Sequence, residues 1–330
     1  MKTAIVGIAG PSLLAEEATL FRAHPPAGVI LFGRNVQDPD QLARLVADLR
    51  AVLPPHAHLM VDQEGGRVAR LRPPHWPAHP PAATFGRLHE HDPAAAIRAA
   101  WLTGALIGSL CAGAGFDLVA APVLDLRIPG AHDVIGDRAL SEEPDVVARL
   151  GRAVAAGLLA AGVLPIGKHA PGHGRARVDS HHGLPVVEAN HLEADLRPFI
   201  LNADLPWLMT AHIVYPEFDP ERPATLSPTV IRSIIRERIG FKGALVTDDL
   251  AMHALSGRPA DLATAALAAG CDVALYCRGD LEATADLLAA VPPLAGASAA
   301  RLARARAEAA WRRIAIDAAA LEAERDRILA

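Results

Sequence analysis

Residues 163–185 read VLPIGKHAPGHGRARVDSHHGLP. The stretch opens on an apolar run, Val163–Lys168, that shows no polar alternation. That is the pattern of a strand covered on both faces, as in a parallel sheet. Lys168 and His169 end the run, and the chain then breaks into glycines and prolines that continue neither strand nor helix. A strand that hands polar residues to a loop at its carboxyl end is how (β/α)₈ barrels build their sites.

Seven more runs of the same kind lie outward from it: Thr3–Ala9, Gly28–Gly33, Leu59–Asp62, Leu118–Leu124, Leu208–His212, Ala244–Thr247 and Val273–Cys277. Most are separated by helical patterns. Ser227-Pro228 opens TVIRSIIRERI, which stops at Gly240, and Asp38-Pro39 opens QLARLVADLR. Eight buried strands alternating with helices predict a (β/α)₈ barrel rather than an open doubly wound sheet. No linker or repeat divides the chain, so one domain is expected over residues 1–330. A C-terminal helical extension, about 296–330, is expected to pack on the outside of the barrel, its helical pattern running from Ala299 to Leu329. The Pro-rich stretch Pro73–Pro81, with Trp76 inside it, reads as a long βα loop.

The 330 residues, 51% hydrophobic and 21% charged, supply ample core. A net charge of −5 with no basic run gives nucleic acid no electrostatic footing. Cys111, Cys271 and Cys277 form no C-x-x-C pair and are expected to be buried thiols. MKTAIVGIAG reads as a first strand, not a signal peptide, and no apolar run is expected to be long enough to span a bilayer. The expectation is a cytoplasmic monomer with no membrane or nucleic-acid partner.

The unusual polar residues collect at strand ends. Asp62 ends the third strand, Lys168 and His169 the fifth, His212 the sixth, and Asp248 with Asp249 the seventh. Any single one reads as a turn or cap, but four strands doing the same thing build a polar pocket on one rim. Within the loop after the fifth strand, Asp179 and His181 flank Ser180 and would point the same way in an extended stretch. A carboxylate beside an imidazole orients the ring and raises its pKa, which suits proton donation near neutrality. A metal site is the weaker reading. Pro171 and Gly172 break any helix between His169 and His173, and the first strand offers no H-x-H. The glycines and prolines suggest a loop that moves over the pocket.

These segments also carry a family resemblance: GVILFGRNV (28–36), VDQEGGRVAR (61–70), IGDRALS (135–141), KHAPGHG (168–174), DSHHGLP (179–185), MTAHIVYP (209–216) and TDDLAM (247–252). In this order they resemble the bacterial β-N-acetylhexosaminidases of glycoside hydrolase family 3, cytoplasmic enzymes of peptidoglycan recycling. The resemblance implies Asp248 as nucleophile, His181 as acid/base and Asp179 as its partner. It implies that Asp62, Arg70, Arg138, Lys168 and His169 hold the sugar, and His212 is placed with them as substrate-binding. It further implies a retaining double displacement on N-acetylglucosamine β-linked to anhydro-N-acetylmuramic acid, with or without stem peptide, using no cofactor and no metal. A broader exo-β-glycosidase or a phosphorylase on the same scaffold, and a silent sugar-binding protein, are the alternatives. The chain departs from the family pattern at Ala170 and Leu140, where aromatics are usual, and at Arg175-Ala176, where Asp-Thr is commoner.

Overall fold

The eight apolar runs form strands that pair in parallel and close on themselves. They are β1 (Lys2–Gly7), β2 (Pro26–Leu31), β3 (His58–Val61), β4 (Leu118–Val119), β5 (Leu164–Ala170), β6 (Trp207–Thr210), β7 (Ala244–Asp249) and β8 (Val273–Tyr276). The order around the barrel is β1-β8-β7-β6-β5-β4-β3-β2. The computed structural model describes residues 1–180, 182–188 and 192–330. Around the barrel run α1 (Ala15–Ala23), α2 (Pro39–Val52), α3 (Ala83–His89), α4 (Pro93–Gly113), α5 (Pro144–Ala160), α6 (Glu193–Ile200), α7 (Pro259–Ala269), α8 (Leu281–Ala290), α9 (Gly296–Arg312) and α10 (Ala318–Leu329). A π-wound segment, Val230–Arg238, lies between β6 and β7. The architecture is the (β/α)₈ barrel that the strand count predicts.

The predicted helix starts form as read. Asp38 Oδ1 accepts from the Gln41 amide at 2.8 Å at the head of α2, and Ser227 Oγ accepts from the Val230 amide at 3.1 Å. β4 is shorter than expected. Pro122 has no amide to give the ladder, and contact with β5 resumes only as an isolated bridge between Val123 and Lys168. β7 and β5 run longer than expected, so Asp248, Asp249, Lys168 and His169 lie inside strands.

Two bulges shape the rim. Between Val246 and Asp249, β7 spends one residue more than β8 does between Val273 and Leu275. Between Gly167 and Ala170, β5 does the same against Leu208 and Thr210 of β6. A bulge re-aims the side chains beside it. The residues so placed are Lys168, His169 and Asp248.

The barrel interior is filled by Ile5, Ile30, Met60, Leu118, Ile166, Trp207, Met209, Val246 and Leu275, all nearly or fully buried. Leu302, Ala305 and Ala309 of α9 belong to this same cluster. Arg301 and Ser298 also reach Asp272, just before β8, at 2.7 and 2.6 Å. The C-terminal extension is therefore corrected. α9 plugs the amino-terminal end of the barrel, because its small apolar stripe covers the open bottom of the interior core. α10 alone packs outside, against α4.

One helix also corrects the reading that no run is long enough for a bilayer. α4 has 21 residues, and an 18-residue window of it has a mean hydropathy of 1.4. Its apolar residues pack against the barrel and α5, and 61% of that window is buried. A Cβ on Gly104 would stand 2.2 Å from the Val154 carbonyl oxygen, and one on Gly157 2.2 Å from that of Trp101. Helix–helix contact this close needs the missing side chains. The three cysteines are free and buried, as expected.

Candidate active site

The site grows from β3 outward. Asp62 follows the strand, and the chain then folds into a small hairpin, Gln63–Gly65 against Val68–Ala69. Gln63 is buried and pins the return arm of that hairpin. Its Oε1 accepts from the Arg70 and Leu71 amides at 2.8 and 3.1 Å, and its Nε2 donates to the Leu71 carbonyl at 2.8 Å. Arg70 is thereby returned to the rim, where its guanidinium stacks 5.2 Å from the centre of the Phe32 ring.

An alternating ion chain crosses the rim. Arg70 Nη2 donates to Asp62 Oδ2 at 3.0 Å, and Lys168 Nζ to Asp62 Oδ1 at 3.3 Å. Lys168 Nζ also meets Glu64 Oε1 at 2.6 Å. Arg138 closes the chain with a bidentate pair on Glu64, Nε and Nη2 each at 2.9 Å. Burial alone would push the Asp62 carboxyl up, but Lys168 and Arg70 more than offset it and hold it below the ordinary carboxylate value. Glu64 is depressed as well, burial again being outweighed by Arg138 and Lys168. Three cations against two carboxylates leave one net positive charge facing the end of β7.

Asp248 stands there. Its Oδ1 accepts from the Asp249 amide at 2.8 Å. Burial opposes its charge, yet His169, that amide and Lys168 leave its pKa below the ordinary value, so it is ionised. Asp249 differs: burial, with the charge of Asp248 adding to it, pushes its pKa up. Its Oδ1 accepts from the Ala251 and Cys277 amides, each at 3.0 Å. Asp249 is thus the cap that ties β7 to β8, and Asp248 is the ionised carboxylate beside it on the cavity wall.

That cavity, about 210 Å³, is lined by Asp62, Glu64, Arg70, Arg138, Lys168, His169, His173, Ser180, Asp248 and Asp249 over an apolar floor that includes Met209 and Leu275. The structure therefore gathers six of the nine expected residues: Asp62, Arg70, Arg138, Lys168, His169 and Asp248. His212 is placed elsewhere, and its substrate-binding role is corrected. The ring is fully buried behind the wall, with Nδ1 2.8 Å from Thr225 Oγ1 and Nε2 3.0 Å from the Asp249 carbonyl oxygen, so neither nitrogen is left for a sugar. His181 lies outside the described residues. Around Asp179 the chain is a turn, not an extended stretch, because its carbonyl accepts from the His182 and Gly183 amides at 2.9 and 3.1 Å. Ser180 is buried and 3.1 Å from His173 Nε2.

Two groups escaped the sequence reading. Glu64, inside VDQEGGRVAR, is the shared counter-ion of Lys168 and Arg138. Asp125, fully buried, accepts from His169 Nδ1 at 2.6 Å and from the His169 and His173 amides at 3.1 and 2.6 Å. Asp125 stands directly after the fourth apolar run, so the rule that found Asp62 and Asp248 would have found it too. Ala170 and Leu140 are buried and off the cavity surface, so these two departures alter packing behind the wall. Arg175 pairs with Asp195 at 2.7 Å. Among the described residues, no group of three or more His, Cys, Asp or Glu side chains is arranged to hold a metal ion.

An ionised carboxylate on the wall of a cation-lined cavity at the carboxyl rim of a barrel is equipment for attack on an electrophilic carbon of a polyhydroxylated ligand. Known proteins point the same way. The profile of the glycosyl hydrolase family 3 N-terminal domain matches residues 9–316. A β-hexosaminidase of Bordetella pertussis is 40% identical over 284 residues, covering 84% of this chain and 80% of that protein. The structure of NagZ from Neisseria gonorrhoeae in complex with N-trifluoroacetyl-D-glucosamine superimposes with a TM-score of 0.87 at 32% identity, over 99% of this chain and 97% of that one. The same Neisseria protein in complex with a zinc ion gives 0.86 at 31% identity, over 100% and 98%. From motif, barrel, cavity and kinship together, the chain belongs to glycoside hydrolase family 3 and is a glycoside hydrolase.

Proposed function

We propose that the protein is a retaining exo-β-N-acetylglucosaminidase. The substrate is N-acetylglucosamine β-1,4-linked to anhydro-N-acetylmuramic acid, with or without the stem peptide, and the setting is cytoplasmic peptidoglycan recycling by a monomer. The observation that carries the reaction is the ionised Asp248 carboxylate on the wall of the cavity that Lys168, Arg70 and Arg138 line. Similarity to the β-hexosaminidases and to NagZ supports the acetamido sugar.

In this mechanism Asp62 accepts hydrogen bonds from sugar hydroxyls, while Lys168, Arg70, Arg138 and His169 donate to the sugar's oxygens. Asp248 attacks the anomeric carbon and the glycosidic bond breaks. His181 gives its proton to the departing oxygen, and Asp179 orients its ring. The neutral imidazole then takes a proton from water, whose oxygen displaces Asp248 and releases the sugar with its configuration kept. Hydrolysis needs no metal, so activity persists in chelator.

The test is turnover of a chromogenic N-acetyl-β-glucosaminide beside the matching glucoside. The acetamido compound is expected to be strongly preferred, and equal efficiency on both overturns the substrate. A trapping fluorosugar is expected on Asp248, and a label on Asp249 instead overturns the nucleophile. His181→Ala is expected to slow disaccharides far more than dinitrophenyl glycosides, whose leaving group needs little protonation. Unaltered leaving-group dependence places the proton donor elsewhere.

A further inference from the structure

His212 sits behind the reacting carboxylate in a line of hydrogen-bonding groups, two threonine hydroxyls on one side and a peptide carbonyl on the other. Thr210 Oγ1 is 2.7 Å from Thr225 Oγ1, Thr225 Oγ1 is 2.8 Å from His212 Nδ1, and His212 Nε2 is 3.0 Å from the Asp249 carbonyl oxygen. Thr210, Thr225 and His212 have no solvent exposure. We infer that these side chains form a one-way hydrogen-bond chain that fixes His212 as the neutral Nε2–H tautomer and positions the end of β7 that carries Asp248.

The direction follows from counting hydrogens. The Asp249 carbonyl can only accept, so Nε2 must carry a proton. Thr225 has one hydroxyl hydrogen, for which the Ala211 carbonyl at 3.0 Å competes with His212 Nδ1. If Ala211 took it, Nδ1 would also have to be protonated, leaving a buried imidazolium whose two partners are a hydroxyl and a peptide carbonyl. Among the described residues no carboxylate bonds to that ring, and the burial of an ion so placed outweighs the favourable charges of Asp248 and Asp249 nearby. Burial likewise holds the His212 pKa below its ordinary value. The remaining assignment is self-consistent: Thr210 donates to Thr225, Thr225 to Nδ1, and Nε2–H to Asp249.

The consequence reaches the cavity through Asp249. Its carbonyl is held by His212, its carboxylate by the Ala251 and Cys277 amides, and its own amide donates to Asp248 Oδ1. Loss of the His212 bond frees one of these anchors and tilts the amide that aims Asp248. His212 and Thr225 are positioning residues. That part rests on Asp248 as nucleophile; the tautomer does not.

Two measurements decide it. Nitrogen NMR of the ¹⁵N-histidine-labelled full chain at neutral pH, with the His212 signals assigned by their loss in His212→Asn, is expected to show a neutral ring protonated on Nε2. A ring protonated on Nδ1 alone, or on both nitrogens, overturns the chain of bonds whatever the substrate proves to be. In kinetics, Thr225→Val keeps the shape and removes the donor, and kcat is expected to fall ~10- to ~100-fold with KM nearly unchanged. Thr225→Ser restores the hydroxyl and is expected to recover most of that loss. A folded Thr225→Val with parental kcat, or a Thr225→Ser as slow as the valine variant, overturns the positioning role. If Thr225→Val does not fold, the serine variant and the NMR signature still decide. A parent enzyme without N-acetylglucosaminidase activity sinks the proposed function and leaves the tautomer test standing.

Discussion

At the residue scale, Asp248 owes its ionised state to neighbours that outweigh its burial, His169 foremost among them. A nucleophile with a depressed pKa stays charged as pH falls, so its acid limb lies below the ordinary carboxylate range. Replacing His169 by Asn removes the largest favourable charge and is expected to move the acid limb of kcat/KM to higher pH. A limb that stays put, or moves down, contradicts this origin. Asp248→Ala is expected to lower turnover by several orders of magnitude with the fold intact, checked by kinetics beside circular dichroism. Glu64 makes a sharper case because it touches two of the expected sugar-binding cations. Its carboxylate is only 7% exposed, against 3% for Lys168 and 12% for Arg138. Removing one partner of a buried ion pair strands the others, at ~3–5 kcal/mol. Glu64→Gln is therefore expected to lower the urea-unfolding free energy by about 3 kcal/mol and to raise KM. Parental stability and KM together would show that Lys168 and Arg138 need no common counter-ion.

At the scale of elements, α9 is the piece whose place no local pattern revealed. Its sequence is rich in Ala and Arg and reads as a surface helix, yet Leu302 is fully buried at the bottom of the barrel. Leu302→Ala removes a plug from a closed core and is expected to cost ~2–5 kcal/mol. The active rim lies at the other end of every strand, so kcat/KM at a temperature where the variant is folded should match the parent. A variant that loses catalytic efficiency while its melting temperature holds would mean that α9 serves the site instead. The bulges in β5 and β7 belong to this scale too. They are register events between two strands, and a strand read alone gives no sign of them.

At the scale of the whole molecule, stability should fall on mild acidification well before the carboxylates titrate. Burial, with Arg325 adding to it, pushes His79 down to about 4 from 6.5. Burial, with His169 adding to it, pushes His173 down to about 4 as well. Both rings are neutral in the folded and unfolded states above pH 6.5, so stability there is at its full value. Below that, the unfolded chain takes up protons that the folded one refuses, at ~3 kcal/mol per ring by about pH 4. The depressed carboxylates, Asp62 and Asp125 among them, add a second loss only below about pH 4. Urea unfolding at neutral pH and near pH 4.5 measures the first loss. His79→Gln, between the loop after β3 and α10, is expected to remove that ring's share of it, and an undiminished loss in that variant would rule out His79 as a source.

Much of this protein was legible because its local chemistry is unambiguous. A run such as Ala244–Thr247 has no polar alternation, is too short for a helix and lies between Gly243 and Asp248, so it reads as a strand buried on both faces, and eight such runs with helices between them point to a barrel. The same logic put Asp62, Lys168, His169 and Asp248 on one rim, since the carboxyl ends of parallel strands all meet there. Arg70 and Arg138 came from motif likeness and proved to join that rim through Asp62 and Glu64. What sequence by itself could not determine is which polar groups face each other once the rim closes. His212 ends a strand as Asp62 does, yet its ring turns behind the wall because Thr225, thirteen residues on, offers its hydroxyl there. Glu64 and Asp125 are ordinary acids until Lys168 and His169 arrive from β5, and Arg138 from the loop before α5, to share their charge. Those partnerships depend on distances across the barrel, and only its closure sets them.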